Sequence, residues 1–252
     1  MKLRVLGCAG TLTKTERTVG FLLDGRVLVD AGTVVTALTV AEQRRIDDVV
    51  LSHAHLDHIK ELPFFVGDRW RPGAPPLRIH GLPPVLAAVR RHLFNGAVWP
   101  DLAVLPSKAR PLIRYVPMRA RVPVRIGGLT FTLVPVSHAV PCAGMLIDSR
   151  GGTVVYTSDT GPTTAIWREA RKRDVRAVLV ETSFPNAQEG FARMAGHLTP
   201  ALLEGEMRKL GMPEVPIHVY HLKPEQGRRI RRELAALGPR VKLLRQGRTY
   251  EF

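Results

Sequence analysis

Short apolar runs bounded by turn residues predict β-strands in the first half of the chain. These runs cover residues 5–7, 19–23, 26–30, 46–51 and 77–80. The Asp24-Gly25 pair between the second and third runs is a hairpin turn signal. Helical spacing of apolar residues predicts helices over residues 33–45 and 83–94. Between residues 67 and 123, frequent proline and arginine leave the remaining order unassigned.

The second half of the chain repeats this alternation of strands and helices. Predicted strands lie at residues 129–138, 144–148, 153–158, 177–181, 217–221 and 241–244. Predicted helices follow residue 162 and span residues 199–210 and 226–236. We therefore expect an α/β fold in which two packed, mixed β-sheets carry helices on their outer faces. This αββα sandwich would comprise residues 1–252 as a single domain.

A dense group of histidines lies where the strand at residues 46–51 ends. On an extended backbone, His53 and His55 point the same way and can hold one metal ion. Asp57 and His58 follow around the turn and need not face that same ion. Imidazole and carboxylate at such close quarters predict two ions, zinc or a similar transition metal. A histidine-rich surface turn is the alternative interpretation.

Charge and cysteine content narrow the function classes only slightly. The net charge is +15, from 37 Lys and Arg against 22 Asp and Glu, and such a surface attracts anions. The charges are scattered, so they give weak support for an anionic substrate, and a solvated basic surface explains them equally well. No apolar run approaches a membrane span and no secretory leader is evident, so we expect a cytoplasmic protein. Cys8 and Cys142 are expected to be small buried hydrophobes.

The run from His53 to His58 resembles the signature of the metallo-β-lactamase fold superfamily of metallohydrolases. The resemblance implies more ligands far along the chain, and a candidate stands at the end of each of three predicted strands. It implies that one ion is held by His53, His55 and His138, the other by Asp57, His58 and His221, with Asp159 as the bridge. A strand-end histidine that is only hydrogen-bonded, or an Asp159 that caps a turn, is the alternative for each residue taken alone.

Four further segments resemble the class II cyclic nucleotide phosphodiesterases within that superfamily. They are SDTGP at residues 158–162, ETSFPN at 181–186, GHLTP at 196–200 and YHLKP at 220–224. In the third segment, Thr199 and Pro200 are expected to be the N-cap and the first residue of a helix. By this resemblance and by acid–base logic, His197 would protonate the leaving 3′-oxygen or hydrogen-bond the phosphate. Asp57 and His197 are the candidate catalytic residues, although His197 stabilising its turn is the alternative.

The resemblance implies a dinuclear, metal-dependent phosphodiesterase that hydrolyses 3′,5′-cyclic nucleotides, cAMP or cGMP, to 5′-monophosphates. Two divalent ions, zinc or else manganese or iron, would generate a hydroxide that attacks phosphorus. Three alternative hypotheses compete with this one. The first is a tRNA 3′-processing endoribonuclease, which the basic charge favours. The others are another hydrolase of this fold and a nucleic-acid-binding module without catalysis. A small-molecule substrate is expected, no membrane partner is expected, and the resemblance also allows a homodimer.

Overall fold

Two seven-stranded β-sheets form the framework of the computed structural model, which describes residues 1–252. The strands are β1 (Lys2–Gly7), β2 (Gly20–Leu23), β3 (Val27–Val29), β4 (Asp48–Val50), β5 (Leu77–Gly81), β6 (Pro106–Ser107), β7 (Arg110–Pro111), β8 (Ile113–Pro117), β9 (Pro123–Ile126), β10 (Leu129–Pro135), β11 (Ala143–Ser149), β12 (Gly152–Tyr156), β13 (Val175–Glu181), β14 (Ile217–Tyr220), β15 (Val241–Leu243) and β16 (Thr249–Glu251). The helices are α1 (Val40–Gln43), α2 (Leu56–Ile59), α3 (Leu62–Arg69), α4 (Pro83–His92), α5 (Ala165–Ala170), α6 (Glu189–Ala195), α7 (Pro200–Leu210) and α8 (Gly227–Ala235). Short 3₁₀ turns lie at Asn186–Gln188 and Pro224–Gln226.

Both sheets are mixed, as the sequence predicts. The first has the order β16-β1-β2-β3-β4-β5-β8, and the second has the order β15-β14-β13-β12-β11-β10-β9. Strands β3, β4 and β5 run parallel, and so do β12, β13, β14 and β15. The carboxyl ends of parallel strands share one edge of a sheet, where ligand groups usually collect. The segments that follow β3, β4, β12, β13 and β14 are therefore the candidates for a functional site.

The apolar faces of the two sheets meet in a core that aromatic rings cross. Phe21 of the first sheet lies edge-on to Tyr156 and Tyr220 of the second, with ring centroids 5.5 Å and 5.8 Å away. On the other face of the second sheet, Trp167 of α5 and Leu203 of α7 are buried in a second apolar cluster. This layering confirms the αββα sandwich. None of the helices has the length and apolar character that a membrane crossing requires.

Two sequence predictions placed regular structure where the chain instead makes loops. The helix expected over residues 33–45 is wrong except for α1, because the buried Glu61 carboxylate fixes the preceding loop. It accepts hydrogen bonds from the backbone N–H groups of Val34, at 2.6 Å, and Thr36, at 3.3 Å. The strand expected over residues 129–138 ends at Pro135, so His138 lies in the loop beyond it.

A buried carboxylate ties two neighbouring strands of the first sheet and predicts acid-sensitive stability. Asp48 of β4 accepts hydrogen bonds from Arg78 (2.6 Å) and His80 (2.7 Å), both on β5. Burial alone raises a carboxyl pKa, but these two partners outweigh it and lower the pKa of Asp48 from 3.8 to about 2. The folded state therefore gains stability that is complete above pH 3.8 and lost as the pH falls towards 2.

Asp48→Asn is expected to lower the free energy of unfolding at neutral pH by about 2 kcal/mol, the equivalent of this pKa shift. The difference between wild type and variant should shrink as the pH falls below about 4. Chemical denaturation at a series of pH values measures it. Glu251→Gln, which breaks only the exposed pair with Lys2, is the control and should change little. A difference that stays constant with pH would contradict the role given to the Asp48 charge.

Candidate metal centre

The histidine-rich segment directly follows β4, so the buried strand fixes where the segment starts. His53 and His55 lie in the connection between β4 and α2, and His55 is the residue that precedes the helix. Helix α2 starts at Leu56, which places Asp57 and His58 in a single turn of helix. The predicted position of these histidines, directly after a buried strand, is confirmed.

One group of three histidines gathers around the loop after β10. The ring centroid of His53 lies 4.8 Å from that of His55 and 5.0 Å from that of His138. Nε2 of His138 approaches Nδ1 of His55 to 3.2 Å. On the other side of its ring, Nδ1 of His138 donates to the backbone carbonyl of Gly196 at 2.8 Å. That bond sets the tautomer that leaves the Nε2 lone pair directed at the other two histidines.

The second group combines two carboxylates with two imidazoles. Its members are Asp57, His58, Asp159 and His221, whose ligand atoms all lie within 4.8 Å of one another. Nε2 of His221 lies 3.1 Å from a carboxylate oxygen of Asp57 and 3.2 Å from one of Asp159. The other oxygen of Asp159 lies 3.4 Å from Nε2 of His58. Asp159 is also 3.8 Å from Nε2 of His53, so it stands between the two groups.

Unsatisfied buried atoms show that this donor set fits divalent cations. Nε2 of His53, Nε2 of His58 and Oδ1 of Asp159 are buried and have no hydrogen-bond partner. Buried polar atoms without partners are costly, and these three belong to residues that meet at one place. Imidazole nitrogen and carboxylate oxygen are ligands suited to zinc and similar ions. All seven residues predicted as ligands are therefore brought together, in the grouping expected.

The carboxylates of Asp57 and Asp159 are both ionised in this buried site. Burial would raise the pKa of Asp159, but His221 and His58 beside it hold that pKa well below its usual range. The same holds for Asp57, where burial is outweighed by the hydrogen bond to His221 and by the charge of His58. Two ionised carboxylates among imidazoles form a site that attracts cations.

Asp30, which was not among the predicted site residues, supports this centre through hydrogen bonds. It is fully buried after β3 and takes a positive φ of 55°. Its carboxylate accepts hydrogen bonds from Nδ1 of His58 (2.8 Å), the Tyr156 hydroxyl (2.6 Å) and the Ser52 hydroxyl (2.8 Å). Ser52 in turn lies 3.0 Å from Nδ1 of His53. Carboxylate partners of this kind orient the imidazoles that ligate metals.

His197 lies against both groups, in the short link between α6 and α7. Thr199 caps that helix by accepting from the Leu202 N–H, and Pro200 is its first residue, as predicted. Gly196 takes a φ of 71°, and a Cβ there would lie 2.9 Å from the Cα of His138. Only glycine fits both the left-handed turn and this close approach. The ring of His197 stacks on that of His221, with centroids 5.5 Å apart.

Glu181, at the end of β13, orients His197. Its buried carboxylate lies 2.8 Å from Nδ1 of His197 and accepts that hydrogen bond. Burial would lower the pKa of His197, but the Glu181 charge outweighs it and raises that pKa above its usual value. Ser183, two residues further on, donates to Glu181 (2.9 Å) and lies 2.8 Å from Nδ1 of His221. The ETSFPN segment therefore supports both His197 and His221 from one strand end.

The ETSFPN segment carries part of the resemblance to the phosphodiesterases, but Glu181 and Ser183 were not among the predicted site residues. The available signal was position: each of Asp30 and Glu181 is an acidic residue at the end of a buried parallel strand. Phe184 and Phe191 form an aromatic wall beside His197, with ring centroids 5.1 Å apart, and Phe191 is 52% exposed. The ring of Phe184 lies 5.7 Å from that of His197.

The fold and this paired cluster define a hydrolase of the metallo-β-lactamase fold. The chain belongs to the β-lactamase superfamily domain family, whose family model matches residues 25–244. It is 27% identical over 243 residues to a probable 3′,5′-cyclic-nucleotide phosphodiesterase of Yersinia pestis, a match that covers 83% of this chain and 69% of that protein. The resemblance to cyclic nucleotide phosphodiesterases is thereby confirmed.

Solved structures agree with this assignment of the fold. Unliganded yeast PDE1 superimposes with a TM-score of 0.83 at 17% identity and covers 98% of both chains. The short form of human tRNase Z superimposes with a TM-score of 0.71 at 16% identity and covers 100% of this chain and 99% of that one. At such identities the likeness establishes the fold, and the substrate has to be argued from the site.

Proposed function

We propose that this chain is a dinuclear, metal-dependent phosphodiesterase that hydrolyses 3′,5′-cAMP or cGMP to the 5′-monophosphate. One observation carries the proposal: the seven clustered ligand residues share their site with a histidine that is held by a carboxylate, His197 on Glu181. The clustered ligand residues suit the activation of water, and the histidine held by a carboxylate suits the protonation of a leaving oxygen. The phosphodiesterase relative supports the same substrate class.

His53, His55 and His138 would hold one divalent ion, and Asp57, His58 and His221 the other, with Asp159 shared. Two such ions, zinc or alternatively manganese or iron, would lower the pKa of a shared water and offset negative charge on the phosphoryl oxygens. Asp30 would keep the His58 ring in its ligating orientation through the Nδ1 hydrogen bond. This role needs no movement, because the carboxylate is already buried against the ring.

His197 would act on the leaving group. Because Nδ1 donates to Glu181, Nε2 is the ring atom left to face a substrate. A protonated Nε2 would donate its proton to the 3′-oxygen as the bond to phosphorus breaks, and Glu181 would stabilise the positive ring. Phe184 and Phe191 would offer an apolar surface to the nucleoside beside the phosphate.

Turnover of 3′,5′-cAMP and cGMP by purified, zinc- or manganese-loaded protein tests this function. We expect release of 5′-AMP or 5′-GMP that stops on chelation and returns with added metal. Release of the 3′-monophosphate, or turnover that is insensitive to chelation, would contradict the proposed reaction. The same assays on protein resolved by size would show whether the active species is the homodimer that the resemblance allows.

A tRNA 3′-processing endoribonuclease is the second candidate. The net charge of +15 favours it, since a basic surface attracts a polyanionic substrate. Cleavage of a precursor tRNA, run beside the cyclic nucleotide assay, separates the two. Clean cleavage at the 3′ end of the tRNA without cyclic nucleotide turnover would replace the first proposal by this one. A steep dependence of tRNA binding on salt would accompany it.

Asp30→Asn is expected to weaken metal binding about 10–100-fold with the fold kept, since Asp30 orients His58 and, through Ser52, His53. Asparagine tolerates the positive φ at this position, so the substitution removes charge without straining the backbone. Competition with a chromophoric chelator measures the affinity. Asp24→Asn, which also has a positive φ but lies in the exposed β2–β3 turn, is the matched control. Equal metal affinity in both variants would contradict the role of Asp30.

A further inference from the structure

A second cavity lies away from the metal centre, where the ends of the two sheets come together. It has a volume of about 660 Å³ and is lined by residues of β14, α8, β15, the segment after β15, and β16. An adjoining cavity of about 180 Å³ shares Arg231, Leu243, Leu244 and Arg245 with it and extends to Leu222 and Pro224. We call the two cavities together the C-terminal groove. Its lining includes His218, Arg231, Lys242, Leu243, Leu244, Arg245 and Tyr250, and its far end is lined by Leu222 and Pro224.

The charge in this groove is unbalanced. Arg231, Lys242 and Arg245 line the larger cavity, which has no acidic residue in its wall. None of the three cations forms an ion pair, whereas Arg229 on the same helix as Arg231 pairs with Glu233. The smaller cavity contributes one carboxylate, that of Glu16. Three unpaired cations around one concave surface attract and hold an anion.

A buried histidine in the wall of the groove lacks a partner. His218 is 7% exposed, and its Nδ1 is buried without any hydrogen bond. Its ring meets that of Tyr250 edge to face, with centroids 5.3 Å apart. Burial and the neighbouring Lys242 lower the pKa of His218 to about 4, so the ring is neutral at physiological pH. A neutral imidazole next to cations offers a hydrogen bond and an aromatic surface without adding charge.

We propose that the C-terminal groove is a binding site for a small phosphate-bearing molecule, separate from the metal centre. Phosphate matches the cations in charge and in its several acceptor oxygens, which arginine contacts in pairs. The rings of His218 and Tyr250 suit a planar group attached to that phosphate, as in a nucleoside monophosphate. No residue of the proposed metal centre lines this groove.

The groove also touches the support of the metal centre. Leu222 and Pro224 lie at its far end, and they flank Lys223 in the loop that carries His221. The Leu222 carbonyl accepts from the N–H of Gly10, which joins this loop to the segment that follows β1. An occupant of the groove would therefore rest against the backbone that fixes His221, and its binding would add to the stability of the folded chain.

Histidine ring signals in NMR spectra of the metal-loaded protein test the proposal, since they separate this groove from the metal centre. His218→Gln assigns the His218 signal, which is then followed during titration with inorganic phosphate, AMP and adenosine. We expect phosphate and AMP to shift it with saturation, and adenosine alone to leave it in place. Tighter binding of AMP than of phosphate would identify a nucleotide as the source of the phosphate, and equal binding would identify free phosphate.

Two neighbouring arginines of α8 provide a matched pair of variants. Arg231→Gln removes a cation of the groove, and Arg232→Gln removes an exposed cation that does not line it. We expect the first to weaken phosphate binding at the His218 signal by at least about tenfold, as loss of a charge-assisted hydrogen bond does, and the second to change it little. An unmoved His218 signal, or equal weakening in both variants, would overturn the proposal, the latter because it indicates attraction by overall charge alone.

Discussion

Asp159→Asn is expected to reduce cyclic nucleotide turnover by roughly 10³-fold or more, because both proposed ions share this carboxylate. The stabilisation of transition-state charge that bound ions supply is worth several kcal/mol. The carboxylate is 1% exposed and approaches imidazoles of both groups, at 3.2 Å for His221 and 3.8 Å for His53. Asparagine keeps the size but removes the charge and one acceptor oxygen. Metal content should fall together with activity, and mass spectrometry under native conditions would count the ions that are retained.

Asp148→Asn is the matched control for this variant. Asp148 lies on β11 of the same sheet and accepts from the Thr153 hydroxyl, but it is not part of either group of ligands. Its replacement should leave metal content and turnover close to wild type. An Asp159→Asn protein that keeps both ions and full activity would show that the carboxylate does not lie between the metals, and the dinuclear assignment would fail with it.

The proposed ligands from His53 to His58 were predictable because they follow a strand with a strong apolar signal. The run at residues 46–51 fixes a buried strand, so the histidines after it had to emerge at the edge of a sheet. His221 was nominated through the resemblance to the superfamily, and its place directly after β14 agrees with that nomination. The prediction succeeded at these positions because polar residues that follow a buried strand emerge at the edge of the sheet.

The positions of Asp30 and Glu181 at strand ends were visible in the sequence, but their roles were not predictable, because their partners lie far away in the chain. Asp30 meets Tyr156 across 126 positions of the chain, and no local pattern links the two. The loop before α1 is a similar case. Its spacing favours a helix, yet the distant Glu61 carboxylate satisfies its backbone and fixes a different conformation. Tertiary hydrogen bonds of this kind override local propensity.

His197→Ala is expected to lower kcat for 3′,5′-cAMP by about 10²–10⁴-fold, the usual contribution of a positioned general acid. Metal content should not change, because Nδ1 of His197 is occupied by Glu181 and the ring stands beside the two groups of ligands. Glu181→Gln should lower kcat in the same direction with little change in KM, since it removes the charge that holds and stabilises the protonated ring. His92→Ala, at an exposed position on α4, serves as the control.

The leaving group distinguishes a proton donor from a residue that only stabilises its turn. The 3′-oxygen of a ribose is a poor leaving group and needs a proton, whereas a nitrophenolate departs as a stable anion. With bis(4-nitrophenyl) phosphate, His197→Ala should therefore lose less than about tenfold in kcat, because general-acid catalysis is no longer required. Equal losses on both substrates would contradict a proton-donating His197. They would instead indicate that this histidine shapes the site through its contacts with Glu181 and His221.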